Sequence, residues 1–254
     1  MKRFLILLSL LLCNTVCAET ININWMVDEQ QYGTPTTCEY SGDVILPTPP
    51  TKYGYTFAGW EPSTYIFLEY IQNSGTQKID TGVTITNGKR FEIDVQLNSD
   101  SPTESSIMGT GGGYDTNFVS IRAGNYFSNN IFGFIKNLKY YTPGNITKDA
   151  QRHLFVIDLN NNKVRIDQYE AITDGTTNSS LTWWIGSYMG STSSGFDWIG
   201  KYYGIKIYDN EELIHDFIPA KRLSDNAVGM YDFVSGTFFG NAGTGTFIAG
   251  PVAN

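Results

Sequence analysis

Of its 254 residues the chain spends three on cysteine and two on histidine, and only 17% carry charge. Cys13 and Cys17 fall in the N-terminal leader described below, which leaves Cys38 alone. A lone cysteine excludes an internal disulfide framework, so stability has to come from burial. Cys38 reads as a part-buried small hydrophobe, with intermolecular pairing as its other use. It has no base nearby for nucleophilic work, because His153 and His215 lie far along the chain. Two histidines and one cysteine cannot build an ordinary zinc site. Basic clusters are missing too: 17 basic residues stand against 25 acidic ones, which excludes a generic nucleic-acid or anionic-lipid surface. After the leader no apolar run approaches the length of a membrane helix, and little of the chain has helical periodicity. Low charge with abundant Thr, Asn, Ser and Tyr argues against a coiled coil and against a charge-rich disordered chain.

The first 18 residues have the pattern of a secretory signal. Lys2 and Arg3 form a positive start, Phe4 to Leu12 is apolar, and Val16-Cys-Ala18 offers small residues where a signal peptidase cuts. The apolar run is too short to span a bilayer. Cleavage after Ala18 removes two basic residues and no acidic ones, so the formal charge moves from −8 to 15 − 25 = −10. The pattern predicts an exported protein: secreted, periplasmic or at the cell surface.

Beyond the leader, apolar residues recur with period two between Gly, Asn, Asp and Pro turns, the signature of half-buried strands. The composition divides near residue 62. Residues 19–62 hold five of the nine prolines and only one basic residue, Lys52. Ile21, Ile23 and Trp25 alternate with Asn22 and Asn24 as in a strand, and Val44-Ile-Leu46 predicts a second. From about Tyr65 the pattern predicts strands at 66–71, 90–97, 117–122, 131–140, 154–159, 163–169, 181–186, 201–208, 213–218, 228–233 and 245–249. Turns at Thr86-Asn-Gly88, Asn160-Asn-Asn162, Asp209-Asn210 and Ser235-Gly236 separate several of them. Short strands at such spacing argue for a sandwich or jelly roll.

Two resemblances sharpen this. Tyr40-Ser-Gly-Asp-Val-Ile-Leu-Pro47 and Pro50-Thr-Lys-Tyr-Gly-Tyr-Thr-Phe-Ala-Gly-Trp60 resemble the internalin-type B repeat, also called the Listeria–Bacteroides repeat. That resemblance implies a small β-grasp-like spacer or adhesive module over 19–62, with nothing catalytic. The second is carried by Leu68-Glu-Tyr-Ile-Gln-Asn-Ser-Gly-Thr-Gln-Lys-Ile-Asp-Thr-Gly82, Gly200-Lys-Tyr-Tyr-Gly-Ile-Lys-Ile-Tyr-Asp209, Asp216-Phe-Ile-Pro-Ala220 and Gly229-Met-Tyr-Asp-Phe-Val-Ser-Gly236. In that order they resemble the laminin-G-like, concanavalin A-like domain of bacterial exported and phage tail-type proteins. It implies an all-β jelly-roll sandwich over 63–254 with a binding role, often for glycans.

Several constellations carry possible chemistry. Glu92, Asp94 and Gln96 would share one face of a strand and resemble the Glu-x-Asp-x-Glu strand of retaining glycoside hydrolases of the same fold. That family's acid/base is the last Glu, and Gln96 cannot donate a proton in its place. The plain reading is alternation, with Phe91, Ile93, Val95 and Leu97 facing the core. Gly109-Thr-Gly-Gly-Gly-Tyr114 lacks both dinucleotide and P-loop spacing. Asp158-Leu-Asn-Asn-Asn162 opens like a calcium loop, but Lys163 and Tyr169 occupy positions where Gly and Glu are needed. A calcium ion held by loop oxygens elsewhere stays open, since laminin-G-like domains sometimes bind one. Trp183, Trp184, Tyr188, Phe196, Trp198, Tyr202 and Tyr203 crowd around Gly190-Ser-Thr-Ser-Ser-Gly195. Period two sends about half of these inward. Tyr188 and Trp198, flanking the loop, are the expected exposed pair, with Tyr114 and Asp115 at the other glycine-rich loop as further ligand-binding candidates. The sequence therefore predicts a non-catalytic protein that binds glycans or a cell-surface partner through rim loops. The alternatives are a structural element of a surface or tail-like assembly, and a glycoside hydrolase of the same fold.

Overall fold

A computed structural model describes residues 6–8, 20–27, 30–39, 44–53, 56–57, 64–98, 104–110, 119–124, 131–187 and 198–253. Period two explains most of it. Along Lys89–Leu97, Phe91, Ile93, Val95 and Leu97 are buried while Arg90, Glu92, Asp94 and Gln96 turn to the other face. The result is an antiparallel β-sandwich, the all-β class expected from the sequence. One sheet has six strands in the order Lys139–Tyr141, Ile131–Lys136, Val119–Gly124, Glu104–Thr110, Asn178–Ile185 and Ile79–Thr86. The other has 11 strands. Its main path runs Tyr169–Ile172, Lys163–Ile166, Arg152–Asp158, Lys89–Leu97, Ile199–Asp209, Glu212–Arg222, Val228–Asp232 and Thr237–Phe239, with the short strands at 65–67, 71–74 and 248–249 paired on its flank.

The apolar faces of the two sheets form one core. Phe91 of the larger sheet stacks on Trp183 of the smaller, with ring centroids 4.5 Å apart, and Val119, Ile121, Phe132 and Phe134 complete the smaller sheet's side. Tyr202 is the polar tie across the layer: its buried hydroxyl donates to the Ile107 carbonyl at 2.5 Å, so burying that hydroxyl costs little. Gly200 lets the chain pack closely here. A Cβ at that position would lie 2.4 Å from Cζ2 of Trp198 and 2.5 Å from the Gln96 carbonyl oxygen.

Several strands went unread in the sequence. Ile79–Thr86 alternates well, with buried Ile79, Thr81, Val83 and Ile85, but Gly82 interrupts it. Glu104–Thr110 buries Ser105 and Ser106, residue types that read as loop. Tyr169–Ile172 and Thr237–Phe239 are short outer strands of the larger sheet.

At the N-terminal side, Thr20–Val27 pairs with Ile6–Leu8, Gln30–Gln31 and Thr36–Glu39. Trp25 is its buried centre, donating from Nε1 to Thr36 Oγ1 at 2.8 Å, with Tyr32 and half-buried Cys38 packed around it. The strand expected at Val44-Ile-Leu46 does not form: the segment makes no ladder pairing, and Ile45 is 77% exposed. Pro47, Pro49 and Pro50 follow at once and cannot donate to a ladder. Much of the closing repeat motif, including Gly54, Tyr55 and Trp60, lies outside the described residues. Met26 packs against an aromatic cluster of Phe67 and Tyr231 with Tyr65, Phe233 and Phe238.

Candidate functional site

The face of the larger sheet turned away from the core carries its polar side chains. Register sets them in rows. Glu92 lies opposite Val156 on one neighbour and Lys206 on the other; Asp94 opposite Leu154 and Gly204; Gln96 opposite Arg152 and Lys201. Lys206 in turn faces Asp216. A bulge between Tyr202 and Gly204 inserts Tyr203 as an extra residue, and its hydroxyl donates to Gln96 Oε1 at 2.7 Å. Gly204, with no side chain, leaves a gap in the row. There a groove of about 250 Å³ opens, walled by Glu92, Asp94, Leu154, Tyr203, Lys206 and Asp216. A Cβ added at Gly204 would meet only the Phe217 carbonyl oxygen, at 3.6 Å.

Every carboxylate in the groove already has a cation. Arg152 grips Asp94 through two hydrogen bonds of 2.7 and 2.6 Å, the bidentate geometry that fixes both partners. Arg90 pairs with Glu92, and Lys206 lies 3.4 Å from Asp216. Both guanidinium groups also lie over rings, Arg152 at 3.9 Å from the centroid of Tyr203 and Arg90 at 3.6 Å from that of Tyr208. Asp216 is only 6% exposed. Burial raises its pKa above the usual carboxylate value; Lys206 opposes the shift, while Asp232 and Glu92 add to it. The arrangement offers oriented acceptors, an ammonium donor, an aromatic wall and the apolar Leu154 side by side.

The residues named from the sequence fare differently. Trp198, expected at an exposed rim, is fully buried. It shares a face with Gly200 and Tyr202 at intervals of two, and its indole fills the space a side chain at 200 would take. Its expected partner Tyr188, and Tyr114 and Asp115 at the other loop, lie outside the described residues. Trp183 and Tyr202 are core residues, and Tyr203 turns outward. Glu92 and Asp94 do line a groove, but Gln96 is engaged by Tyr203. Gly204, Lys206 and Asp216 were missed as site residues. The alternation of Lys206 with Tyr208 places it on a polar face, whereas its meeting with Asp216 and Glu92 depends on a register that no local pattern encodes.

Asp158-Leu-Asn-Asn-Asn162 is a hairpin turn in which Asp158 accepts from the amide and side chain of Asn161. Among the described residues no three His, Cys, Asp or Glu side chains gather as metal ligands would, and no helix is long and apolar enough to cross a membrane. His153 sits buried between two carboxylates, Nδ1 at 2.7 Å from Asp167 and Nε2 at 2.9 Å from Asp149. Burial pulls its pKa down, but the two carboxylates outweigh that and leave it raised above 6.5. A raised folded-state pKa gives stability that is fully present below the unfolded value and is lost as pH rises through the folded one. We expect the melting temperature to fall between pH 6 and 9, and His153→Gln to flatten that slope.

No family model matches the chain, and no curated protein does. Among solved structures, it is similar to a protein from Bacteroides ovatus ATCC 8483 whose carbohydrate binding is itself a provisional assignment. The two are 12% identical, with a TM-score of 0.49 over 92% of this chain and 70% of the other. A likeness so distant has no bearing on function.

Proposed function

We propose that this is an exported, non-catalytic protein that recognises glycans, with residues 1–18 removed on export and the Gly204 groove as a binding site. One observation carries the reading: Gly204 opens the polar sheet face exactly where carboxylates, an ammonium group and an aromatic wall are held ready. Small-ligand sites combine a few fixed polar groups with apolar and aromatic lining. Sugars present that mixture in reverse, hydroxyls around the ring edge and C–H groups on its face. Fixed Asp94 and Glu92 accept from hydroxyls, Lys206 donates, and Tyr203 with Leu154 meets the C–H face. The groove lacks the acid/base residue that the glycosidase pattern requires at position 96, which favours binding over cleavage.

The test is Gly204→Met. The Cβ has room, and a strand glycine is replaced at no backbone cost. The variant therefore keeps the wild-type melting temperature while glycan affinity drops by about tenfold or more. Calcium held outside the groove is an additional proposal. Groove binding is expected to persist in chelator, so chelator-sensitive binding assigns recognition to a site other than the groove. A variant that binds like wild type removes the groove from the account.

A further inference from the structure

We infer, resting on the glycan reading above, that the groove takes an interior stretch of a linear, uncharged polysaccharide and not a free sugar or a charged chain. Size is the first reason. At about 250 Å³ the groove falls below the range of roughly 300–1,000 Å³ in which sites engulf a small ligand. A single ring seated there keeps much of its surface in water and gains little from burial.

Length is the second. The outward row Arg90, Glu92, Asp94, Gln96 covers six strand steps, roughly 20 Å. Its two ends carry the same kind of group. Beyond Glu92 stand Arg90 and Tyr208, stacked on each other. Beyond Asp94 stand Gln96, Tyr203 and Arg152, and then Tyr70, whose ring centroid is 5.6 Å from that of Tyr203 and 4.3 Å from Lys201 Nζ. A chain laid along the strands meets hydrogen-bonding and aromatic groups on both sides of the central gap.

Charge is the third. Glu92, Asp94 and Asp216 are each matched by Arg90, Arg152 or Lys206. In the central gap no uncompensated carboxylate draws in a cationic sugar, and an anionic unit seated there would have to displace one of these pairs from its cation. Uncharged hydroxyls can use the remaining lone pairs without breaking them.

Calorimetric titration with linear gluco-, xylo- and manno-oligosaccharides of one to six units, and with polygalacturonate, tests this. The expected result is affinity for at least one neutral series that rises by about tenfold or more from one unit to four and then levels, with no binding of polygalacturonate. Tyr208→Ala should weaken the longer oligosaccharides several-fold more than it weakens the disaccharide. A monosaccharide that binds as tightly as the tetrasaccharide overturns the interior-stretch inference while the glycan reading stands. Preference for polygalacturonate overturns the uncharged-ligand part. No saccharide bound by the folded protein overturns the glycan reading and this inference together.

Discussion

Replacing Asp232 by alanine is expected to lower the unfolding free energy by about 4 kcal/mol, as removal of a buried carboxylate that leaves several donors without an acceptor does. Asp232 is fully buried and collects five donors. Its Oδ1 accepts from the amides of Asp216 and Val234 at 2.8 and 3.2 Å. Its Oδ2 accepts from the Ser235 amide and hydroxyl at 3.2 and 2.5 Å, and from His215 Nδ1 at 2.8 Å. The residue thereby closes the Ser235-Gly236 turn and fixes the strand that carries Asp216 into the groove. Burial alone would raise its pKa; the bonds from His215, Ser235 and the Asp216 amide overcome that and hold it at about 2. A depressed carboxylate pKa contributes stability above the unfolded value near 4, and that contribution is lost as pH falls towards 2. Chemical denaturation of wild type and Asp232→Ala at pH 7 reads the loss directly. At pH 2.5 the two curves should draw together. With His153 acting from the alkaline side, stability should be greatest between about pH 4 and 6.5.

Trp183→Ala is the second large effect, again about 4 kcal/mol, from lost burial plus the cavity left behind. Its indole is fully buried and stacked on Phe91 at an interplanar angle of 17°, so it joins the two sheets at mid-layer. Trp184, one step along the same strand, points the other way and is only half-buried. Trp184→Ala should cost under about 1 kcal/mol. The pair is a within-strand control: equal losses would show that the two-residue alternation does not set burial here.

The fold was legible because period two survives in most strands. Phe91 to Leu97, Trp183 and Tyr202 sit where alternation puts them. The failures have local causes. Val44-Ile-Leu46 looks like a strand until the three prolines that follow are considered as missing donors. Ser105 and Ser106 look like loop because their burial depends on tertiary partners: Ser106 Oγ is 3.0 Å from Ser120 Oγ. Trp198 looked like a rim residue because it flanks a polar loop, yet Gly200 two positions on was the sign that its indole folds back over the chain. The groove was half legible. Glu92 and Asp94 declared a polar face, but a bulge at Tyr203 and the register against Asp216 complete the site, and those are long-range properties.

The most direct test of the central claim is a glycan array probed with purified wild-type protein and with Gly204→Met, each in calcium and again in chelator. Saturable binding of wild type to neutral glycans, unchanged by chelator and lost in Gly204→Met at equal melting temperature, is the predicted result. A folded wild-type protein that binds no glycan, or a Gly204→Met variant that binds as well, would contradict it and turn attention to protein partners or to a site outside the groove.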